Sequence, residues 1–344
     1  MNRLLTPAER MTDRFDQAYT LNFSTIVTLR GPLSEAQLLR ALRCLERRHP
    51  LLRARVEREG GAPRFVADQA AEIPLHVEQA ALDTLLERAN ETLAPCAWQD
   101  AGPHAALIWL QHGPEHGSLL LRQHHLVSDG SSGILLMRDL LRFVAQGEPA
   151  QVEPLPSPGQ DAFFPEDFGA LKAQVLEQLQ QRPPKPSEAL RVSRFEQDQA
   201  IEARRSYSCR VQLDQATSQA LAQRARAAGA SVHGALMAAI ARGLADETGH
   251  TGSQRLVHPV DLRRYLRELM PAAPAIGDVV GYYVTSVTTE HALQPGDALG
   301  PLARAITEGV RAGKAAREPL ISAPIRGPLL VERTATLDLA GFRQ

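Results

Sequence analysis

The chain has 344 residues, 44% of them hydrophobic, which is enough to bury a sizeable core and long enough to favour two lobes over one. Lys and Arg number 38 against 39 Asp and Glu, so the net charge of −1 gives no electrostatic case for nucleic acid or an anionic membrane surface as a partner. Cys44, Cys96 and Cys209 are odd in number and lack C-x-x-C spacing, and neither a signal-peptide core nor an apolar run of membrane-spanning length is present. These features lead to an expected cytoplasmic protein without a disulfide framework, a metal site or a membrane span.

In chain order, Phe23 to Leu29 reads as a strand, and Gly31-Pro32 turns it into a helix. Ser34 is placed to cap that helix with Gln37 as its capping-box partner, and Leu38, Leu42 and Leu45 form its buried stripe. Pro50 stops it, and Leu52 to Glu57 reads as a strand before Gly60-Gly61. Arg48-His49 stands at this junction, either as a helix-terminal basic group or as a shaper of a channel. Ala80 to Leu93 reads as a helix with Leu82, Leu85, Leu86 and Ala89 on one side. Strands and helices mix without β-α-β alternation, and neither a P-loop nor G-x-G-x-x-G occurs, which excludes an ATP or NAD enzyme of those types.

Ala105 to Leu110 and Ser118 to Gln123 read as strands joined across Gly113-Pro114 and Gly117, and the second runs into His124-His125-Leu126-Val127-Ser128-Asp129-Gly130. Neighbouring strand side chains point to opposite faces, so one histidine is expected to be chemical and the other structural. Imidazole titrates near neutrality, and His125 is chosen as a general base for a bound hydroxyl or amine attacking a carbonyl. Asp129, by bonding backbone donors or an arginine, would fix the turn that aims it. Gly130, ahead of Ser131, Ser132 and Gly133, is expected to let the chain turn sharply into an amphipathic helix with a stripe of Ile134, Leu135, Met137, Leu140, Leu141 and Val144. A helix start at this place also offers N–H groups to a developing oxyanion.

From Glu148 to Arg205 prolines recur around a polar helix near 170–181, the composition of an interlobe connection. Ser206 to Leu213 reads as a strand, and Asp214 caps a helix that ends at Gly229. Ser231 opens another helix with a stripe of Leu236, Met237, Ile240 and Leu244, and His233 is expected to be a buried packing or capping residue in its first turn. Arg255 to Val260 and Val279 to Thr288 read as strands. Tyr282 and Tyr283 would face opposite ways, one into the core and one into a channel.

The H-H-x-x-x-D-G run, Arg48-His49-Pro50-Leu51-Leu52-Arg53, Ser231-Val232-His233-Gly234-Ala235-Leu236, Pro259-Val260-Asp261-Leu262-Arg263 and Val280-Gly281-Tyr282-Tyr283-Val284 together resemble the condensation-domain superfamily of acyltransferases, over about Leu5 to Val287. The last three stretches look most like stand-alone alcohol acetyltransferases and polyketide-associated acyltransferases of the dimycocerosyl transferase type.

The resemblance implies an α/β fold of two chloramphenicol acetyltransferase-like lobes with mixed sheets. These are an N-terminal lobe over 1–150, a connection over 151–205 and a C-terminal lobe over 206–344, with the active site in the channel between lobes. It implies His125 as the catalytic histidine. His124, Asp129, Gly130 and Arg263 would be structural at the site, with Arg263 as the partner of Asp129, and Tyr282, Tyr283, Thr285 and Ser286 would be candidates for the channel. Thr285-Ser286 replaces the Asn-Thr usual in peptide-synthetase condensation domains. Nothing after Leu329 corresponds to the family's final strands, so an incomplete second lobe prone to self-association is expected.

The activity implied is acyl transfer from a thioester, acyl-CoA or an acyl carrier protein, to a small alcohol or amine, without a metal or redox cofactor. Two rivals stand beside it. His124 to Asp129 also spells the H-x-x-x-x-D of glycerolipid acyltransferases, though without their other motifs, and a non-catalytic remnant or interaction module would keep the histidines without turnover.

Overall fold

The computed structural model describes residues 2–18, 21–58, 61–66, 71–93, 102–163, 177, 203, 205, 207–249, 251–269 and 276–321. The first half runs β1 (Asn2–Leu4), α1 (Pro7–Ala18), β2 (Asn22–Arg30), α2 (Glu35–Arg48), β3 (Arg55–Glu57), β4 (Arg64–Val66), β5 (Leu75–Gln79), α3 (Leu85–Thr92), β6 (Ala105–Gly113), β7 (His116–His124) and α4 (Gly130–Gln146). Its main sheet has the order β2-β7-β6-β5, antiparallel except for the parallel β5·β6 pair, and β1-β4-β3 form a small antiparallel sheet. The expected mixed α/β, two-lobed architecture is the one the chain adopts.

Local chemistry sets these elements. Ser34 accepts the Gln37 N–H and the Gln37 side chain accepts the Ser34 N–H, so two of the free donors at the start of α2 are used. Leu38, Leu42 and Leu45 then bury completely against Leu107, Leu119 and Leu121 of the sheet and Leu136 and Leu140 of α4. Each such leucine contributes roughly 1.5–3 kcal/mol of transfer free energy. Gly133 lets α4 lie close on β2: a Cβ there would stand 2.2 Å from Thr25 Oγ1 and 3.3 Å from Phe23 Cε2.

The second half comprises α5 (Gln215–Ala227), α6 (Val232–Thr248), β8 (Gly252–Asp261), α7 (Arg263–Leu269), β9 (Val284–Leu293), α8 (Leu299–Ala315) and α9 (Glu318–Ile321). β8 and β9 pair antiparallel with His258 opposite Val287. α6 packs on α8 through Gly234, where a Cβ would lie 2.6 Å from the Ala303 carbonyl oxygen. Val280 reaches into the core of the first half.

Several sequence expectations are corrected here. The strand expected over Leu52 to Glu57 begins as a 3₁₀ turn (Pro50–Arg53), because Pro50 supplies helical φ, and extends only at Arg55. The helix at Ala80 starts later, with Leu82 exposed. The strand at Val279 begins at Val284, since Gly281 at φ 159° makes a close turn against Tyr283. No strand forms over the described part of Ser206 to Leu213, where apolar alternation has no pairing partner among the described residues. Ile134 is 68% exposed, and Leu136 takes the place expected for it. In α6 the expected stripe is turned outward: Leu236 and Ile240 are 47% and 57% exposed, while Ala238, Ala241 and Ala245 face in. Close packing on α8 selects small side chains, which hydropathy alone ranks below leucine. The polar helix near 170–181, the Pro-rich connection beyond Phe163 and the residues after Ile321 lie, apart from isolated positions, outside the described residues.

Candidate functional site

β7 ends at His124, and His125 opens the turn that leads to α4. The strand's alternation separates the two rings. His124 is buried, its Nδ1 accepts the Leu126 N–H at 3.0 Å, and its Nε2 lies 2.9 Å from Asp16 Oδ1. His125 is half-buried, and its backbone N–H is held by the Leu21 carbonyl at 3.0 Å. Its Nδ1 lies 3.3 Å from the Ser128 carbonyl, a contact that places the ring proton on Nδ1 and leaves Nε2 as the lone-pair nitrogen. The Phe23 ring stacks on this imidazole at 4.5 Å between centroids and Tyr282 meets it edge-on at 6.2 Å. Burial pushes the His125 pKa down, the Ser128 carbonyl acts against that shift, and His124 adds to it.

Asp129 is where the two halves lock. As N-cap of α4 it accepts the Ser132 N–H at Oδ1, 2.7 Å, and at Oδ2 it accepts the Tyr283 N–H from the other half, also at 2.7 Å. Arg263 Nη1 donates to Oδ2 at 3.0 Å and to Asp261 Oδ1 at 3.0 Å. Its Nε donates to the Val279 carbonyl and its Nη2 to Ser132 Oγ at 2.7 Å. The Ser132 hydroxyl donates to the Gly281 carbonyl and accepts the Gly281 N–H. Asp129, Ser132 and Arg263 are all buried, so each charge is matched where water cannot screen it.

The other singled-out residues divide. Gly130 starts α4 with no positive φ, and a methyl there would meet open space, so neither a sharp turn nor close packing requires glycine. Tyr282 faces His125, whereas Tyr283 is core, with the Arg263 guanidinium over its ring and its hydroxyl donating to the Pro158 carbonyl. Thr285 is buried and donates to the Pro319 carbonyl at 2.9 Å; Ser286 sits on the opposite face of β9.

Arg48 Nε and His49 Nε2 both meet Asp139 Oδ2 of α4, at 3.0 and 2.9 Å. Burial opposes the Asp139 charge, but hydrogen bonds from His49 and Arg138 hold this carboxyl well below the usual range. The junction residues thus tie α2 to α4. His233 is exposed, not buried, and its Nε2 lies 2.9 Å from His258 Nδ1; His258 Nε2 and His291 Nε2 both meet Thr289 Oγ1, at 2.9 and 3.0 Å.

Sequence reasoning missed Phe23, Ser132 and Asp139 as parts of this region. For Ser132 a signal existed, its place three residues after Asp129, which is the N3 position of the helix. Phe23 carried none, because its contact depends on the register that sets β2 beside β7.

A profile of the condensation domain matches residues 10–320. Cyclosporin synthetase simA of Tolypocladium inflatum is 34% identical over 142 residues, covering 38% of this chain and 1% of that synthetase. Vanchrobactin synthetase VabF of Vibrio anguillarum is 34% identical over 146 residues, covering 38% of this chain and 5% of its own length. The chain thus corresponds to a small fraction of these curated relatives. The first condensation domain of the calcium-dependent antibiotic synthetase, solved with a substrate analogue, superposes with a TM-score of 0.68 at 18% identity over 92% of this chain and 75% of that one, which shows a common fold.

These findings correct the expected kinship to alcohol acetyltransferases and dimycocerosyl transferase-type enzymes, since the matching profile is that of the condensation domain, the curated relatives above are peptide synthetases, and the superposing structures include condensation domains of a peptide synthetase and a polyketide synthase. The stretches behind that expectation build the α6 start, the Arg263 joint and the entry to β9. No helix of the described residues is long and apolar enough to cross a membrane.

Proposed function

Since this chain belongs to the condensation-domain family, we propose that it transfers an acyl group from a thioester to a nucleophilic acceptor, with His125 as the base. The observation that carries the reading is the half-buried His125 ring, whose Nδ1 is engaged by the Ser128 carbonyl while Nε2 faces no partner among the described residues. The acceptor's N–H or O–H proton passes to Nε2 as its lone pair attacks the thioester carbonyl. The tetrahedral intermediate collapses, the C–S bond breaks, and the departing thiolate takes the proton back from the imidazolium. The names of the peptide-synthetase relatives favour an amine acceptor and a carrier-protein-held donor over free acyl-CoA.

In this reading Asp129 and Arg263 touch no reacting atom and hold the turn between the histidines and α4. The H-x-x-x-x-D alternative is disfavoured because both ring nitrogens of His124 are occupied by Leu126 and Asp16.

The test is turnover with an acyl-phosphopantetheine thioester and a panel of amines and alcohols. His125→Ala should lower it roughly a hundred- to ten-thousand-fold with the melting temperature retained. His124→Ala should instead melt early, because the Leu126 N–H loses its acceptor, a loss of about 1–3 kcal/mol. Equal turnover of parent and His125→Ala above background would remove His125 as the base, and no turnover by the parent would identify a non-catalytic remnant.

A further inference from the structure

Phe23 lies outside the H-H-x-x-x-D-G run and outside every motif that points to the site, yet its ring makes the closest aromatic contact to His125, stacked at 4.5 Å with 28° between planes. β2 places it there. Phe23 pairs with Gln123, two residues before His125, and Gly133 of α4 leaves the room its ring occupies. On the other side Tyr282 comes from the second half and meets the imidazole edge-on at 87°. Tyr282 is itself held, its carbonyl accepting the Gln160 amide. The imidazole is therefore confined on a face and at an edge, while its one hydrogen bond among the described residues, to Ser128 at 3.3 Å, is too long to fix the ring plane alone.

We propose that Phe23 and Tyr282 are positioning residues that clamp His125 from the two halves, setting the plane of its ring and keeping water off its face so that Nε2 stays neutral and aimed at the acceptor. The inference rests on His125 being the base. Aromatic contact of this kind adds to area burial and favours one χ2 setting over its alternatives. The dominant cause of the lowered His125 pKa is burial, which the clamp supplies.

The experiment uses the full chain as Phe23→Leu, Phe23→Tyr and Tyr282→Leu. The His125 Cε1–H resonance is titrated by NMR, assigned by its loss in His125→Ala, and kcat and KM are followed against pH with an acyl-phosphopantetheine donor. Phe23→Leu should raise the imidazole pKa towards 6.5, move the acid limb of kcat up with it and lower kcat about tenfold with KM little changed. Phe23→Tyr should restore parent values, which separates the clamp from mere packing. Tyr282→Leu should shift the resonance in the same direction. A folded Phe23→Leu protein with an unchanged titration overturns the clamp even if turnover falls. If His125→Ala turns over like the parent, the proposed function fails, and the NMR titration still decides whether the ring is clamped. Should Phe23→Leu not fold, Phe23→Met and Tyr282→Leu give the same readout.

Discussion

An imidazole serves as a base only while neutral, and burial holds the His125 pKa below its ordinary 6.5. The neutral form therefore persists at lower pH than for a free histidine. The acid limb of kcat/KM should lie below pH 6.5 in the parent, measured with a donor whose own stability is flat across the range. A limb above that value would mean that another group titrates. The two adjacent histidines could be told apart in sequence as a pair with opposite faces, because a strand leaves no alternative. Which ring nitrogen each one uses was not legible, since Asp16, Leu126 and Ser128 settle it in three dimensions.

Elements with strong local chemistry were readable before the fold. The Ser34 box, the Asp214 and Ser231 caps and the β2, β6 and β7 strands all follow from a few neighbouring residues. α6 shows where such reading stops: its rotation is set by α8, which accepts alanine and glycine at close range and turns Leu236 and Ile240 outward. Leu236→Gln and Ile240→Gln should each change stability by no more than about 0.5 kcal/mol. Ala238→Leu should cost about 1–3 kcal/mol by overpacking, as read from denaturant midpoints. The opposite order would mean that the ridge, not the alanines, is the packed face.

The histidine chain on β8 and β9 adds a pH dependence to the same region. Burial lowers the pKa of His258, with His233, His291 and Lys314 of α8 acting the same way, and burial alone lowers that of His291. Glu318 of α9 bonds the Thr288 N–H at 3.4 Å, and Glu290 faces Ser253 across the ribbon. An unfolded chain takes up protons on these histidines near pH 6.5 while the folded chain resists, so their contribution is present above that pH and fades as pH falls. Thermal melts from pH 8 to 5 should show the loss, and His258→Asn should flatten the slope. An unchanged slope would assign the acid sensitivity elsewhere, with His49 on Asp139 as the next group to test.

Across the whole molecule the Asp129 carboxylate is a joint between the two halves. Removing either Asp129 or Arg263 strands a buried charge, and each of Asp129→Asn and Arg263→Met should destabilise by about 3–5 kcal/mol. The double mutant should lose clearly less than the sum of the two, and strict additivity in a mutant cycle would deny the coupling.

The same joint fixes an order of events during folding. Arg263 and Tyr283 reach Asp129 across 134 and 154 residues of sequence, whereas the Ser132 cap closes within three. Short loops close first, so α4 and the histidine turn can form while Asp129 still carries an unanswered charge. Only the arrival of the second half neutralises it. A chain emerging from the ribosome would therefore display the histidines long before it could use them, and competence would switch on in one late step with the docking of Arg263.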